Sequence, residues 1–391
     1  MRWATTPDEY TRGQQPYDEF RAAVERYAED NDDALVTNRA MAWTPDDELR
    51  FEEGPDVAGG LSYTVEHDAV PTMTAASQLL ERLDGPPMGW WGDERHTTPR
   101  LRSDVLNDVI RHRPESTLLV RTRIQGDGEV IRAVLSDEYS AYNHTDYIDT
   151  IGSALEEMGP SAGRVTVHNG RVGDVMSGYL LLLGTSFGPD PRALARNNGH
   201  IGRRPGSGGG ANLHPAIYFT NSEIGTGKVR LHGGLFSSVC DNGSIIGWQQ
   251  GDAGVSLTHR HISARSIQSL LADGLAAALR LSEAAAERIY QSANITIQPS
   301  ALAKLADQWG RKYGMTLDSI EQWKQMTRVE ANAAGRSGDV RLLDVFNGVT
   351  YTAQDAAHPD EREVMERIGG DLLFADLDAY VSVPAAAGRA T

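Results

Sequence analysis

Alternation of apolar and polar residues is densest between residues 115 and 250, and the predicted elements follow from it. Thr117–Ile124 and Glu129–Leu135 alternate with the two-residue period of a strand, and Gly126-Asp127-Gly128 between them predicts a hairpin. Arg164–Val172 reads as a second hairpin turning at Asn169-Gly170, followed by a long apolar strand, Val175–Thr185. His214–Thr220 and Lys228–Cys240, separated by a Gly-Thr-Gly turn, are followed by Ser244–Trp248 after Asp241-Asn242-Gly243. Asn-Gly tolerates the positive φ of a tight type I′ turn, so this stretch predicts a meander. Connections this short permit antiparallel pairing. From Ser263 the period changes. Ile267, Leu270, Leu271, Leu275, Ala278 and Leu279 recur at three, four and seven, predicting a helix that continues to Ala293. Helices over Pro299–Tyr313, Leu317–Ala334 and Asp339–Ala356 follow, with a last one from Glu361 to about Ile368. Strands first and helices after define an α+β fold: a central antiparallel sheet of hairpins over about residues 115–262, covered by C-terminal helices.

The first hundred residues alternate less. Tyr17–Asp30 is an amphipathic helix through Phe20, Ala23, Val24 and Tyr27, and Thr74–Leu83 and Leu101–His112 are short helices. Thr145–Met158 is another, with Thr145 or Asp146 as N-cap. A Gly/Asp-rich stretch through Glu52-Glu53-Gly54-Pro55-Asp56 reads as an arm, partly disordered. Trp90 and Trp91, between Gly89 and Gly92, are expected in a loop anchored on the core. The chain thus divides into an acidic N-terminal region (1–100), a sheet core (101–262) with a long Arg/Gly loop at 186–213, a helical region (263–380) and a frayed tail (381–391).

Charge sharpens this division. The net charge is −17, yet residues 1–60 hold 6 basic and 15 acidic side chains, whereas 160–270 hold 10 basic and 5 acidic. A positive centre between acidic ends keeps a nucleic-acid partner in play although the whole surface repels polyanions. Among the basic residues 33 are Arg and four are Lys, a bias expected of a GC-rich coding genome or a saline cytoplasm. One cysteine excludes an internal disulfide framework. The longest aliphatic run is Leu180–Leu183 and the first residues lack a signal-peptide core, so a cytoplasmic protein without membrane spans is expected.

Two phosphate-site motifs fail on inspection. Gly225-Thr226-Gly227-Lys228 lacks the upstream Gly, since Ser222 stands there, and Val229 replaces the required Ser/Thr. Gly206-Ser207-Gly208-Gly209-Gly210-Ala211 follows Arg-Arg-Pro rather than a strand, and Pro215 blocks the helix a pyrophosphate needs. His259 and His261, two apart on an expected strand, share a face; with Asp241 they are the candidate metal or catalytic groups, and structural histidines are the plainer reading. Cys240 reads as core rather than nucleophile, and Asn221-Ser222-Glu223 as turn-shaping. The loop 186–213 carries Arg192, Arg196, Arg203 and Arg204 with a single acid, Asp190, and guanidinium pairs with phosphate bidentately.

Asn221-Ser222-Glu223-x-Gly225, a strand, then Val239-Cys240-x-Asn242-Gly243 resembles the phage- and plasmid-like proteins that share the domain of unknown function 932. Ser136–Tyr139 (Ser-Asp-Glu-Tyr), Arg260-His261 and Asp344–Thr350 (Asp-Val-Phe-Asn-Gly-Val-Thr) fall in the same order, so the resemblance spans roughly residues 115–355. It implies a mobile-element setting and carries no chemistry with it.

The leading expectation is a non-enzymatic protein of nucleic-acid metabolism that holds single-stranded DNA or RNA, annealing or protecting it as a homo-oligomer. Arg192, Arg196, Arg203, Arg204, Lys228 and Arg230 would contact the backbone, and Trp248 or Tyr218 would stack on bases. No cofactor is expected. Two alternatives stand beside it: an enzyme on a phosphate-bearing substrate using His259, His261 and Asp241, and an inhibitor of host defence that presents the acidic arm as a polyanion mimic.

Overall fold

Strand alternation commits side chains to two faces, and in this chain it builds two sheets rather than one. The computed structural model describes residues 3–58, 61–91, 93, 97–159, 163–188, 212–237, 244–246, 255–259, 263–336, 338–354 and 359–375. The seven-stranded sheet contains β1 (Glu9–Pro16), β8 (Val165–Val172), β9 (Val175–Leu182), β10 (Leu213–Ser222), β11 (Val229–Ser237) and β12 (Ser244–Ile246) in that order, with β13 (Val255–Leu257) also on β11. Its pairings are all antiparallel. The six-stranded sheet runs β2 (Asn31–Thr37), β6 (Thr117–Gln125), β7 (Gly128–Ser136), β5 (Leu61–Pro71), β4 (Leu49–Ala58), β3 (Met41–Trp43). Here β5 and β7 pair in parallel, Ala69 opposite Glu129, because helices and β6 intervene between them.

Each sheet buries one face under helices. On the seven-stranded sheet, Val167, Leu180, Ile217, Phe219 and Leu231 pack under α1 (Tyr17–Ala28), α5 (His144–Met158) and α6 (Ala264–Ser292). On the six-stranded sheet, Val36, Phe51, Val120 and Ile131 pack under α2 (Met73–Leu83) and α4 (Pro99–Arg111), with Trp43 and Trp91 edge to face at 5.1 Å. Trp91 stands on the short helix α3 (Met88–Trp91), fully buried, so the aromatic pair is a core anchor as its composition implied. A third core joins α7 (Pro299–Lys312), α8 (Leu317–Ala333), α9 (Leu342–Gln354) and α10 (Pro359–Phe374) around Trp323 and Phe346 meets α6 at Ala285 and Ile289. The α+β class and its antiparallel hairpin sheets are as expected.

Three local readings change. Asn169-Gly170 is not a hairpin turn: β8 runs through it, and the chain reverses at Gly173-Asp174 instead. The register slips between His168 and Arg171, so Asn169 (φ 52°) sits in a bulge whose Oδ1 accepts the Gly13 N–H of β1 at 3.1 Å. The stretch read as an arm is β4 pairing with β5, from Leu49 opposite Ala69 to Ala58 opposite Leu61. Asn143, two or three residues before the expected caps, closes the N-terminus of α5 in a capping box with Asp146.

Helix α6 lies so close to β11 that a Cβ on Gly233 would fall 2.1 Å from the carbonyl oxygen of Ala278. Backbone on both sides cannot yield without moving the helix, so Gly233→Ala should destabilise by about 1–3 kcal/mol. Gly89, with open space around its Cβ position, is the matched control and Gly89→Ala should be near neutral. Urea denaturation of both variants checks this; equal midpoints would contradict the close helix–sheet approach.

Candidate nucleic-acid interface

The register of β6 on β7 slips between Arg121, opposite Ala133, and Thr122, opposite Ile131, which makes Arg132 the extra residue of a bulge. A bulge re-aims the side chain it carries. Arg132, fully buried, reaches from the six-stranded sheet to the seven-stranded one: its Nη1 donates to Glu223 Oε2 at 2.9 Å and to Asp174 Oδ1 at 3.1 Å. The other carboxylate oxygen of Glu223 accepts the backbone N–H of His144 at 2.8 Å, at the N-terminus of α5, where the helix dipole favours a negative charge. Arg121 Nη1 donates to the Glu223 carbonyl at 2.7 Å, while its Nε and Nη2 grip Asp33 at 2.7 and 2.9 Å. Asn221 is buried beside them, its Nδ2 donating to Tyr142 O and to His144 Nδ1. Burial alone would raise the Glu223 carboxyl, but the charges of His144, Arg132 and Arg121 outweigh it and hold the group down to about 2. Because burial also lowers His144, the two guanidiniums are the charges acting at neutral pH.

This cluster fixes the loop that follows. Gly225 has φ 71°, and a Cβ there would lie 2.9 Å from Leu135 Cδ2. Gln78 on α2 donates to the Ile224 carbonyl at 2.7 Å and accepts from Val134 N at 2.9 Å, tying loop to helix and strand. Tyr139 O–H donates to Ser222 O at 3.0 Å. Between this loop, α2 and the end of β13 lies a cleft of ≈ 560 Å³, within the usual size of ligand sites. Arg82, Lys228 and Arg230 line it together with Tyr139, Thr226, Thr258 and His259, and Glu81 is the one carboxylate among its described lining residues. Lys228 is exposed, Arg230 half-buried, and neither side chain has a carboxylate partner among the described residues.

The structure therefore brings together Lys228, Arg230 and His259. Arg192, Arg196, Arg203, Arg204, Trp248, Asp241, His261 and Cys240 lie outside the described residues. Strand β13 ends at Leu257, so His259 lies beyond it, and the expected pairing with His261 falls outside the described residues. His259 instead stacks on Tyr139, ring centroids 5.0 Å apart, with burial lowering its pKa. Among the described residues no group of three His, Cys, Asp or Glu side chains is placed to hold a metal. Tyr218, considered for stacking, is buried between Tyr179 and His232 on neighbouring strands and offers no open face. Arg121, Arg132 and Arg82 were not singled out by sequence reasoning, and Glu223 was read there only as turn-shaping. A legible signal existed: Arg121 and Arg132 interrupt otherwise apolar strands, where an unpaired charge would be costly.

A two-sheet α+β chain with a cationic cleft beside a buried ion cluster is the class that fold and site define. The chain belongs to the family described as domain of unknown function 932, matched over residues 133–356. That span holds Tyr139, Glu223, Lys228, Arg230 and His259, while Arg82, Arg121 and Arg132 lie before it. No curated protein and no solved structure matches the chain. None of the helices among the described residues is long and apolar enough to cross a membrane.

Removing one charge of a buried pair strands the other, so Glu223→Gln should cost about 3–5 kcal/mol at neutral pH. The lowered carboxyl also sets a pH window. Its contribution is complete above the ordinary value of 4.5 and is lost as pH falls toward about 2. Urea melts of both proteins between pH 7 and 2.5 should therefore converge across that window. A gap that stays constant down to pH 2.5 would contradict the charge assignment.

Proposed function

We propose that the protein binds single-stranded nucleic acid, with the phosphates held in the cleft by Arg82, Lys228 and Arg230. The observation that carries this reading is the convergence of three cationic side chains on one ≈ 560 Å³ space in a chain of net charge −17. Elsewhere the buried guanidiniums face carboxylates: Arg102 with Asp47, Arg121 with Asp33, Arg132 with Glu223. Among the described residues Lys228 and Arg230 stand without one, as groups whose counter-ion is a ligand would. The Gly225–Lys228 loop presents Lys228 at the rim, and Tyr139 supplies an aromatic wall. The basic loop at 186–213, a homo-oligomeric state, a cytoplasmic location and the phage or plasmid setting belong to the same proposal. An annealing or protecting role follows from contacts that neutralise backbone without reading sequence.

Neutralised phosphates release counter-ions, and each contributes roughly −0.7 to the log–log salt slope on a single strand. Fluorescence anisotropy of a labelled oligonucleotide should show steep salt dependence for the wild type. Lys228→Ala combined with Arg230→Ala should flatten the slope by roughly 1.4, and by the same amount for unrelated sequences. Wild type that does not bind at low salt, or a double variant that keeps the full slope, would refute the reading.

A further inference from the structure

We infer that the cleft reads a neutral hydrogen-bond donor of its bound nucleotide through His259 Nε2, an inference that rests on the nucleic-acid reading above. The ring of His259 is fixed from two sides. It stacks on Tyr139 at an interplanar angle of 16°, and its own backbone carbonyl accepts the Ser140 N–H at 2.8 Å. The third contact sets the tautomer: Nδ1 lies 3.3 Å from the Ser140 carbonyl oxygen, which can only accept, so Nδ1 carries the hydrogen. Nε2 is left with a lone pair. It is buried and has no hydrogen-bond partner among the described residues, although His259 lines the cleft. A buried acceptor left unpaired costs free energy, and native structures keep few of them.

The neighbouring groups narrow the ligand. Desolvation lowers the His259 pKa; the hydrogen bond to the Ser140 carbonyl opposes it, Arg121 and His144 lower it further, and Glu223 raises it. The ring therefore stays neutral at pH 7 and acts as an acceptor. The Tyr139 hydroxyl cannot pair with it, being donated to Ser222 O. A phosphodiester has acceptors only, so it satisfies Lys228 and Arg230 but not Nε2. The ligand that satisfies both carries phosphate and, within a few ångströms, a neutral N–H or O–H. A nucleotide has two such sources, the Watson–Crick edge of its base and the 2′-hydroxyl of ribose. His259 joins the cleft wall just beyond the end of β13. That strand stops at Leu257, and only Thr258 separates it from His259.

Three strands of equal length test this by anisotropy: abasic deoxyribose and abasic ribose, both lacking a 1′-hydroxyl, and deoxycytidine. The first offers phosphates alone, the second adds the 2′-hydroxyl, the third a base amino group. Wild type should bind at least one donor-bearing strand roughly five- to tenfold more tightly than abasic deoxyribose, the worth of one ordinary hydrogen bond. The arm that shows the gain identifies the donor. His259→Phe keeps an aromatic ring on Tyr139 and deletes the acceptor, so it should abolish that gain and leave affinity for abasic deoxyribose unchanged. Its melting temperature should change little, since the unpaired acceptor is removed together with the Nδ1–H bond to the Ser140 carbonyl; should it not fold, His259→Leu serves the same comparison. Equal binding of all three strands by wild type, or a preference retained in the variant, overturns the inference while leaving phosphate binding in place. Wild type that binds none of the strands overturns both.

Discussion

The carboxylate of Glu223 joins groups that belong to different layers, and the geometry of the cleft follows from that junction. One oxygen meets Arg132 from the six-stranded sheet and the other caps α5 through His144 N. The same residue's carbonyl takes Arg121, so side chain and backbone are both held. The loop 224–228 departs directly from this anchor, and its next contacts, Gln78 and Tyr139, are again on the other sheet's side of the molecule. A cleft whose two walls come from separate sheets needs such a clamp, because sheets packed only through apolar contacts have no comparable directional constraint.

Charge is used differently inside and at the rim. The acidic surplus of the first sixty residues is partly engaged internally: Asp30 pairs with Arg123, Asp33 with Arg121 and Asp47 with Arg102, all three guanidiniums buried. That portion of the N-terminal charge is a structural counter-ion rather than a free polyanionic surface. Lys228 and Arg230 depart from that pattern: both line the cleft and, among the described residues, neither has a carboxylate partner. The strongly negative whole and the positive cleft are then compatible. Long-range repulsion disfavours polyanions at most of the surface, while among the described residues the cleft keeps a locally cationic lining.

Local rules recovered what local physics decides. Ser263 caps α6 through Ser266 N, Ile267, Leu271, Leu275 and Ala278 of the expected spacing form its buried face while Leu270 is exposed, and Gly126–Gly128 turns between β6 and β7. Asn169-Gly170 shows the limit: the dipeptide supplies positive φ, but a bulge uses that freedom as well as a turn does, and the partner strand β1 decides between them. The strand β4 was missed because Glu, Gly, Pro and Asp carry little strand propensity, and pairing with β5 and β3 overrides it. Splitting the hairpins between two sheets is a long-range outcome that no period encodes. Lys228, Arg230 and His259 were legible as chemistry, whereas their neighbour Arg82, some 150 residues earlier in sequence, was not. Glu223 was read as a turn residue because its partners Arg121, Arg132 and His144 come from elements distant in the chain.

Photo-crosslinking tests the cleft most directly. A single-stranded oligonucleotide carrying a photoreactive base, irradiated with the full chain and mapped by mass spectrometry, should attach within residues 136–139, 225–230 or 258–259, and excess unlabelled strand should suppress it. Crosslinks that fall wholly outside these segments, with binding intact, would contradict the assignment of the cleft as the nucleic-acid site.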